Sequence, residues 1–228
     1  MVGIHNLFQR RSDTHEKRIS NPSIHSNCYC HGWHLIGPME QKRHEFMKEV
    51  STVDKPMSNL DFKLMSLMLK VRDFFLPRMD LLKEAGIEPG FCVLDYGCGP
   101  GSYIVPLAEL VGSSGKIHAL DIHPLADKEV RKIAARKAIA NVKTINSDCN
   151  TGFPDNSMDV VLLYDIFHDL SQPDDVLREL HRVLRPAGTL SFSDHHMKEQ
   201  DILARVTNTG LFKLLKKGKK TYSFSKVS

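Results

Sequence analysis

Hydrophobic and polar positions fall into three patterns along the chain. Residues 1–56 are polar and rich in histidine, and Pro22, Gly32, Gly37, Pro38 and Pro56 interrupt any regular period. That stretch is expected to be irregular or flexible, with one short helix over 39–50. From Leu60 the period becomes helical, with Leu60, Leu64, Leu67, Met68, Val71, Phe74 and Phe75 recurring three or four apart. Ser58 or Asn59 suits a cap. Pro77 has no N–H and restricts Leu76, so a break is expected there and a second helical segment runs to Gly86. An apolar stripe of this kind predicts core packing, and its place ahead of the first strand also makes 57–86 a candidate lid or cap.

After Gly90 strands and helices alternate. Strands are predicted over 92–96, 116–121, 142–147, 160–165 and 189–194, and helices over 103–111, 124–140 and 173–184. A helix over 200–208 and two strands joined across Lys217-Gly218-Lys219 complete the pattern. The expectation is an α/β domain over 87–228 with a mostly parallel sheet and right-handed crossovers. Its organising stretch is VLDYGCGPG, Val93 to Gly101, where an apolar run meets Asp95 and then glycines at 97, 99 and 101. Such a loop accepts positive φ and lets backbone amides approach a ligand directly.

Composition narrows the field without deciding it. The 228 residues are 41% hydrophobic and 25% charged, values typical of globular proteins rather than disordered chains. No apolar run reaches the roughly 20 residues of a membrane span, and the first residues do not read as a secretory leader, so a cytoplasmic protein is expected. A net charge of +4, much of its basic excess between Lys213 and Lys220, disfavours nucleic acid as a partner. Five cysteines without framework spacing read as free thiols. His25, Cys28, Cys30, His31 and His34 crowd ten positions, but no second ligand pair exists, so no metal is assigned.

Chemistry concentrates where the predicted strands end. In open α/β sheets ligands bind outside the carboxyl ends of the strands, and here Asp95, Asp121, Asp148, Asp165 and Asp194 end or follow the five strands. The glycine spacing is one residue shorter than the G-x-G-x-x-G of dinucleotide enzymes, with Pro100 intervening. Asp95 beside the loop would oppose a pyrophosphate and suit a positive group. Asp121 is placed for a ribose diol and Asp148 for an exocyclic amine. Amino acid, ribose and adenine together describe S-adenosylmethionine.

The same stretches resemble the class I S-adenosylmethionine-dependent methyltransferases, specifically the methyltransferase 11 and UbiE-like group. The resemblance rests on VLDYGCGPG, on ALDIHP around Asp121, on NSDCNTGFPDNSMDVVLLYDIFHDL and on LRELHRVLRPAGTLSFSD, and it extends over about 80–228. It implies a Rossmann-like, seven-stranded sheet whose last two strands form an antiparallel hairpin. It also implies that Gly97 and Gly99, in the loop that Gly101 completes, approach the methionine moiety while Asp95 orients its ammonium. Asp121 would hold the ribose hydroxyls and Ile122 pack beside adenine. Asp148 would accept from the adenine amine, the Cys149 backbone address the ring, and Tyr164 and Asp165 form the floor facing the acceptor.

The acceptor is less legible. His168, Asp165 and His195 are the candidate catalytic groups, with Asp169, Asp194 and His196 nearby, since a histidine can take an acceptor's proton near neutral pH. Tyr164-Asp165-Ile166-Phe167 departs from the Pro-Pro-aromatic pattern of enzymes that methylate amide nitrogens. A small or partly apolar metabolite is expected as the methyl acceptor. The alternatives are a protein or tRNA methyltransferase and a non-catalytic S-adenosylmethionine-binding module.

Overall fold

A computed structural model describes residues 54–76 and 78–227. The expected helix over 39–50 and the His25 to His34 cluster lie outside the described residues. Helix α1 (Asn59–Phe75) starts where Ser58 Oγ accepts the amide of Asp61 at 3.2 Å. Helix α2 (Met79–Glu84) follows, so a break does fall around position 77.

The alternating pattern then builds β1 (Cys92–Tyr96), α3 (Ile104–Val111), β2 (Lys116–Asp121), α4 (Pro124–Lys137), β3 (Val142–Asn146) and β4 (Met158–Tyr164). A 3-10 turn at Phe167–Asp169 leads to α5 (Pro173–Val183), β5 (Leu184–Ser193), α6 (Glu199–Thr207), β6 (Phe212–Lys217) and β7 (Tyr222–Lys226). The strands form one seven-stranded sheet in the order β3-β2-β1-β4-β5-β7-β6. β1 to β5 pair in parallel, whereas β7 runs antiparallel between β5 and β6. The expected α/β fold with a C-terminal antiparallel hairpin is therefore present.

Two apolar layers hold the sheet. Val93, Ile117, Val160 and Leu162 pack with Phe62, Leu82, Ile104 and Leu107 from α1 to α3, whereas Leu94, Val161, Leu163 and Phe192 pack with Leu177, Leu180 and Ile202 from α5 and α6. Alternate residues of a strand point to opposite faces, which is why consecutive apolar positions serve both layers. The chain winds from β1 toward β3 on one side and resumes at β4 on the other. Strand order thus reverses between β1 and β4, and the crevice above that reversal is where a ligand fits.

Three expectations need correction. The stripe Leu60, Leu64, Leu67, Met68, Val71, Phe74 and Phe75 is not core: these side chains are 54–80% exposed. The helix instead turns in Phe62 and Ser66, because Phe62 stacks on His123 with ring centroids 4.1 Å apart and the small Ser66 folds its hydroxyl back to the Phe62 carbonyl. Lys70 fixes the same rotation through Glu129 of α4 at 2.8 Å. Second, β5 begins at Leu184, directly after α5, and runs through Pro186 and Gly188. A register shift between Met158 and Val160 accommodates this, and a Cβ at Gly188 would lie 3.0 Å from the Asp159 carbonyl. Third, α4 ends at Lys137, three residues early, because Ala138 turns left-handed.

Candidate active site

The loop after β1 folds over the end of β2, with the amides of Gly97 and Cys98 donating to the Leu120 carbonyl at 2.8 and 2.9 Å. All three loop glycines have positive φ, yet they do different things. A Cβ on Gly97 would press against Ile166 at 3.0 Å, and one on Gly101 would meet Val130 and Ile133 of α4 at 3.1 Å. A Cβ on Gly99 would meet no atom within 4 Å. Gly99 therefore faces the crevice, and Gly101, expected beside the cofactor, instead lets the loop pack against α4.

Two acids stand under this loop. Asp95 is 1% exposed and its buried Oδ2 has no hydrogen-bond partner among the described residues. Burial, and then the nearby Asp121, push its carboxyl up to about 7. Asp121 takes the amides of Gly99 on Oδ2 at 2.8 Å and of His123 on Oδ1 at 2.7 Å. Burial raises its carboxyl, and those two amides oppose the rise.

On the β3 side, the Asp148 carbonyl accepts from the Tyr96 hydroxyl at 2.8 Å. Its carboxylate has no partner among the described residues and is free to accept. Ile122 lies next to Asp121, and Asn146 Nδ2 ties both of their carbonyls to β3. Cys149 turns its side chain toward the core, where burial pushes the thiol up to about 11. A buried acceptor without a donor, open space above an amide-bearing glycine and carboxylates ending β1 and β2 fit a ligand with an ammonium and a diol, as S-adenosylmethionine has.

Across the crevice, Asp165 follows β4 with φ 54°, a left-handed conformation that aspartate tolerates better than most residues. Its amide donates to the Ser193 carbonyl at 2.7 Å, and its Oδ1 accepts from the amide and Nδ1 of His195 at 3.1 and 2.8 Å. Asp194 holds His168 in the same way, through the His168 amide at 3.1 Å and Nδ1 at 2.9 Å. The His196 ring lies between them, with centroids 4.2 Å from His168 and 3.9 Å from His195.

A cavity of about 420 Å³ opens at this end of the sheet, lined by Asp165, Asp194, His195 and residues of α1, α2 and the β6–β7 turn. The structure thus brings Asp165 and His195 together at a cavity. His168 does not line it; its Nε2 faces Asp169 at 3.4 Å, because Asp194 has drawn the ring toward the 3-10 turn. Tyr164 is buried behind Asp165: its hydroxyl pairs with Ser191 Oγ at 2.6 Å and its ring packs edge-on against Tyr103.

Residues 87–225 match the family described as a methyltransferase domain. The chain belongs to the methyltransferase domain family. It is 29% identical over 136 residues to a ubiquinone/menaquinone biosynthesis C-methyltransferase UbiE of Marinomonas, covering 59% of this chain and 54% of that protein. A demethylmenaquinone methyltransferase of Geobacillus is 30% identical over 150 residues, covering 65% of this chain and 60% of its own length. Among solved structures, a SAM-dependent methyltransferase from Aquifex aeolicus superposes with a TM-score of 0.60 at 26% identity, covering 70% of this chain and 97% of that one. The chain spans a little over half the length of the curated relatives it matches.

These likenesses bear out the class I fold, the methyltransferase assignment and S-adenosylmethionine as the cofactor. Two contacts that tie the segment carrying α1 and α2 to this methyltransferase domain were not foreseen from the sequence. His123 caps α4 by accepting the Leu125 amide on Nδ1, and its Nε2 then donates to the Met57 carbonyl at 3.1 Å. A histidine directly before Pro124 was the available signal, since Pro favours the first helical position and the residue before it caps. Glu84 was the other. Its carboxylate gathers the amides of Lys219, Lys220 and Thr221, a contact 137 residues away in sequence that local pattern does not encode. Among the described residues no helix is long and apolar enough to cross a membrane, and no cluster has metal-ligating geometry.

Proposed function

We propose that the protein transfers a methyl group from S-adenosylmethionine to a small, partly apolar metabolite held at the carboxyl ends of β4 and β5. The observation that carries this reading is the cavity there, lined by Asp165, whose neighbour Ile166 packs against Gly97 of the glycine loop, and edged by an oriented histidine. Helices α1 and α2 then serve as the lid. The curated relatives are named for C-methylation in ubiquinone and menaquinone biosynthesis, which agrees with a partly apolar acceptor.

The cofactor supplies a methyl group already activated on a sulfonium, so the protein's tasks are positioning and exclusion of water. Asp95 would hold the ammonium, Asp121 the ribose hydroxyls and Asp148 the adenine amine, with the Gly99 backbone leaving room for them. Tyr103 and Tyr164, both buried, close the floor between the two sites. On the acceptor side a carboxylate can only accept, so His195 Nδ1 donates to Asp165 and the Nε2 lone pair is left to take a proton from the acceptor. The ring is 66% exposed, so that nitrogen can reach a ligand.

Incubation with methyl-labelled S-adenosylmethionine and a panel of phenols, quinols and thiols tests the reading. Labelled methylated product is expected. Saturable cofactor binding with no product across the panel would instead mark the chain as a binding module.

A further inference from the structure

The cavity at the ends of β4 and β5 has an unusual balance of donors and acceptors. Arg72, Arg78, Lys217, Lys219 and Lys220 all line it. The carboxylates on its wall, Asp165 and Asp194, already accept from His195 and His168.

The cations are unevenly answered. Lys217 has Glu199 at 2.5 Å, outside the cavity wall. Arg72 and Arg78 share a single oxygen: Asp73 Oδ1 accepts from Arg72 Nε at 3.0 Å and Nη2 at 2.9 Å, and from Arg78 Nε at 2.8 Å. Two guanidinium groups thus face one carboxylate, leaving one positive charge in excess. Lys219 and Lys220 donate their amides to Glu84, and their ammonium groups have no partner among the described residues.

Arg78 decides the matter. Its side chain is 15% exposed, and its Nη2 is buried with no hydrogen-bond partner among the described residues. A buried guanidinium N–H without an acceptor is costly, and the planar fork of arginine matches a carboxylate or phosphate in two parallel bonds. Arg78 also lines a cavity large enough for a small molecule.

We infer that this cavity binds the methyl acceptor through an anionic oxygen group, a carboxylate or phosphate, taken by Arg78 with Arg72, Lys219 and Lys220 completing the cationic wall. The inference rests on the proposed function and names the class of acceptor for the same site. The cavity lining does not include Asp95, the three loop glycines or Asp121, so the anion site is distinct from the cofactor crevice. The anion would sit at the α1–α2 junction and the hairpin turn, with the rest of the acceptor extending past Leu76, Leu81 and Met197 toward His195. A partly apolar molecule with one acidic group fits both ends.

Benzoate, phenyl phosphate and benzamide titrated into the full chain saturated with S-adenosylhomocysteine, followed by NMR or calorimetry, provide the test. At least one of the two anions is expected to bind roughly tenfold tighter than the neutral, near-isosteric benzamide. The pair also distinguishes a carboxylate acceptor from a phosphorylated one. Arg78→Gln is expected to abolish the preference while leaving S-adenosylhomocysteine affinity within about twofold. Lys219→Gln combined with Lys220→Gln, on the exposed turn, is expected to weaken the same anion roughly threefold and covers the case in which the Arg78 variant does not fold. Equal binding of all three probes, or an Arg78→Gln protein that weakens the cofactor and not the anion, would overturn the inference. Absence of S-adenosylhomocysteine binding in the wild type would instead overturn the proposed function.

Discussion

Gly99 donates its amide to Asp121 Oδ2 at 2.8 Å, so the carboxylate ending β2 also sets the glycine loop that follows β1. Gly101, two residues on, is held by packing against α4 instead. The two glycines should therefore fail differently. Gly99→Ala is expected to destabilise the fold by about 1–2 kcal/mol, from positive φ alone, while cutting S-adenosylmethionine affinity at least tenfold. Gly101→Ala adds a methyl against Val130 and Ile133 and is expected to destabilise by about 2–4 kcal/mol, with the larger loss in thermal melts. Equal effects of the two on binding and stability would contradict the division.

Asp95 predicts a pH dependence. Its carboxyl is raised to about 7, above its ordinary range, so the folded protein holds that proton more tightly than the unfolded chain. The Asp95 contribution is fully present below the unfolded value near ~4 and is lost as pH rises through about 7. Asp95→Asn should then melt at a higher temperature than wild type at pH 8, by the equivalent of about 1–4 kcal/mol, and gain little at pH 4. Cofactor binding should show the reverse, because an ammonium favours the ionised form: wild-type affinity falls as pH drops from 7.5 to 5.5, and that of Asp95→Asn is weak and flat. A pH-independent wild-type affinity would count against the ammonium role.

Glu84 joins α2 to the hairpin turn. Burial raises its carboxyl, but bonds from Lys220, Thr221 and Lys219 outweigh it and leave the group below its ordinary value. A lowered acid stabilises above its unfolded value and loses that contribution as pH falls through the folded one. Glu84→Ala, which strands the buried Thr221 donors, should destabilise by about 1–3 kcal/mol at pH 7. The gap to wild type should narrow in melts below pH ~4. A gap that stays constant from pH 7 to 3 would contradict the cradle.

His195 and His168 look alike in sequence and differ in place. His195→Ala should lower turnover about 100-fold or more with S-adenosylmethionine affinity unchanged, because its free nitrogen reaches the cavity. His168→Ala should act through stability, since its ring is held by the fully buried Asp194 side chain. Single-turnover assays and melts on both variants separate the roles.

The candidate cofactor half was legible because each of its groups sits where a strand ends, and strand ends are set by local pattern. Asp95, Gly99 and Asp121 follow from that rule. Gly101 did not, since its neighbours Val130 and Ile133 lie on a helix whose packing angle no local pattern encodes. The inward face of α1 was hidden for a related reason. Leu60, Leu64 and Phe74 have core-like spacing, but Phe62 meets His123 and Lys70 meets Glu129, and those tertiary contacts fix which face turns inward. The proposed acceptor site was hidden most deeply, because Arg78, Asp165, His195 and Lys219 come from four separate segments.

The most direct test is calorimetric titration of S-adenosylmethionine into the wild-type protein and Asp121→Ala. One saturable site is expected in the wild type and a loss of roughly 100-fold in the variant, in which the Gly99 and His123 amides and the ribose hydroxyls lose their acceptor together. No saturable heat in the wild type, or undiminished binding after Asp121→Ala, would contradict it.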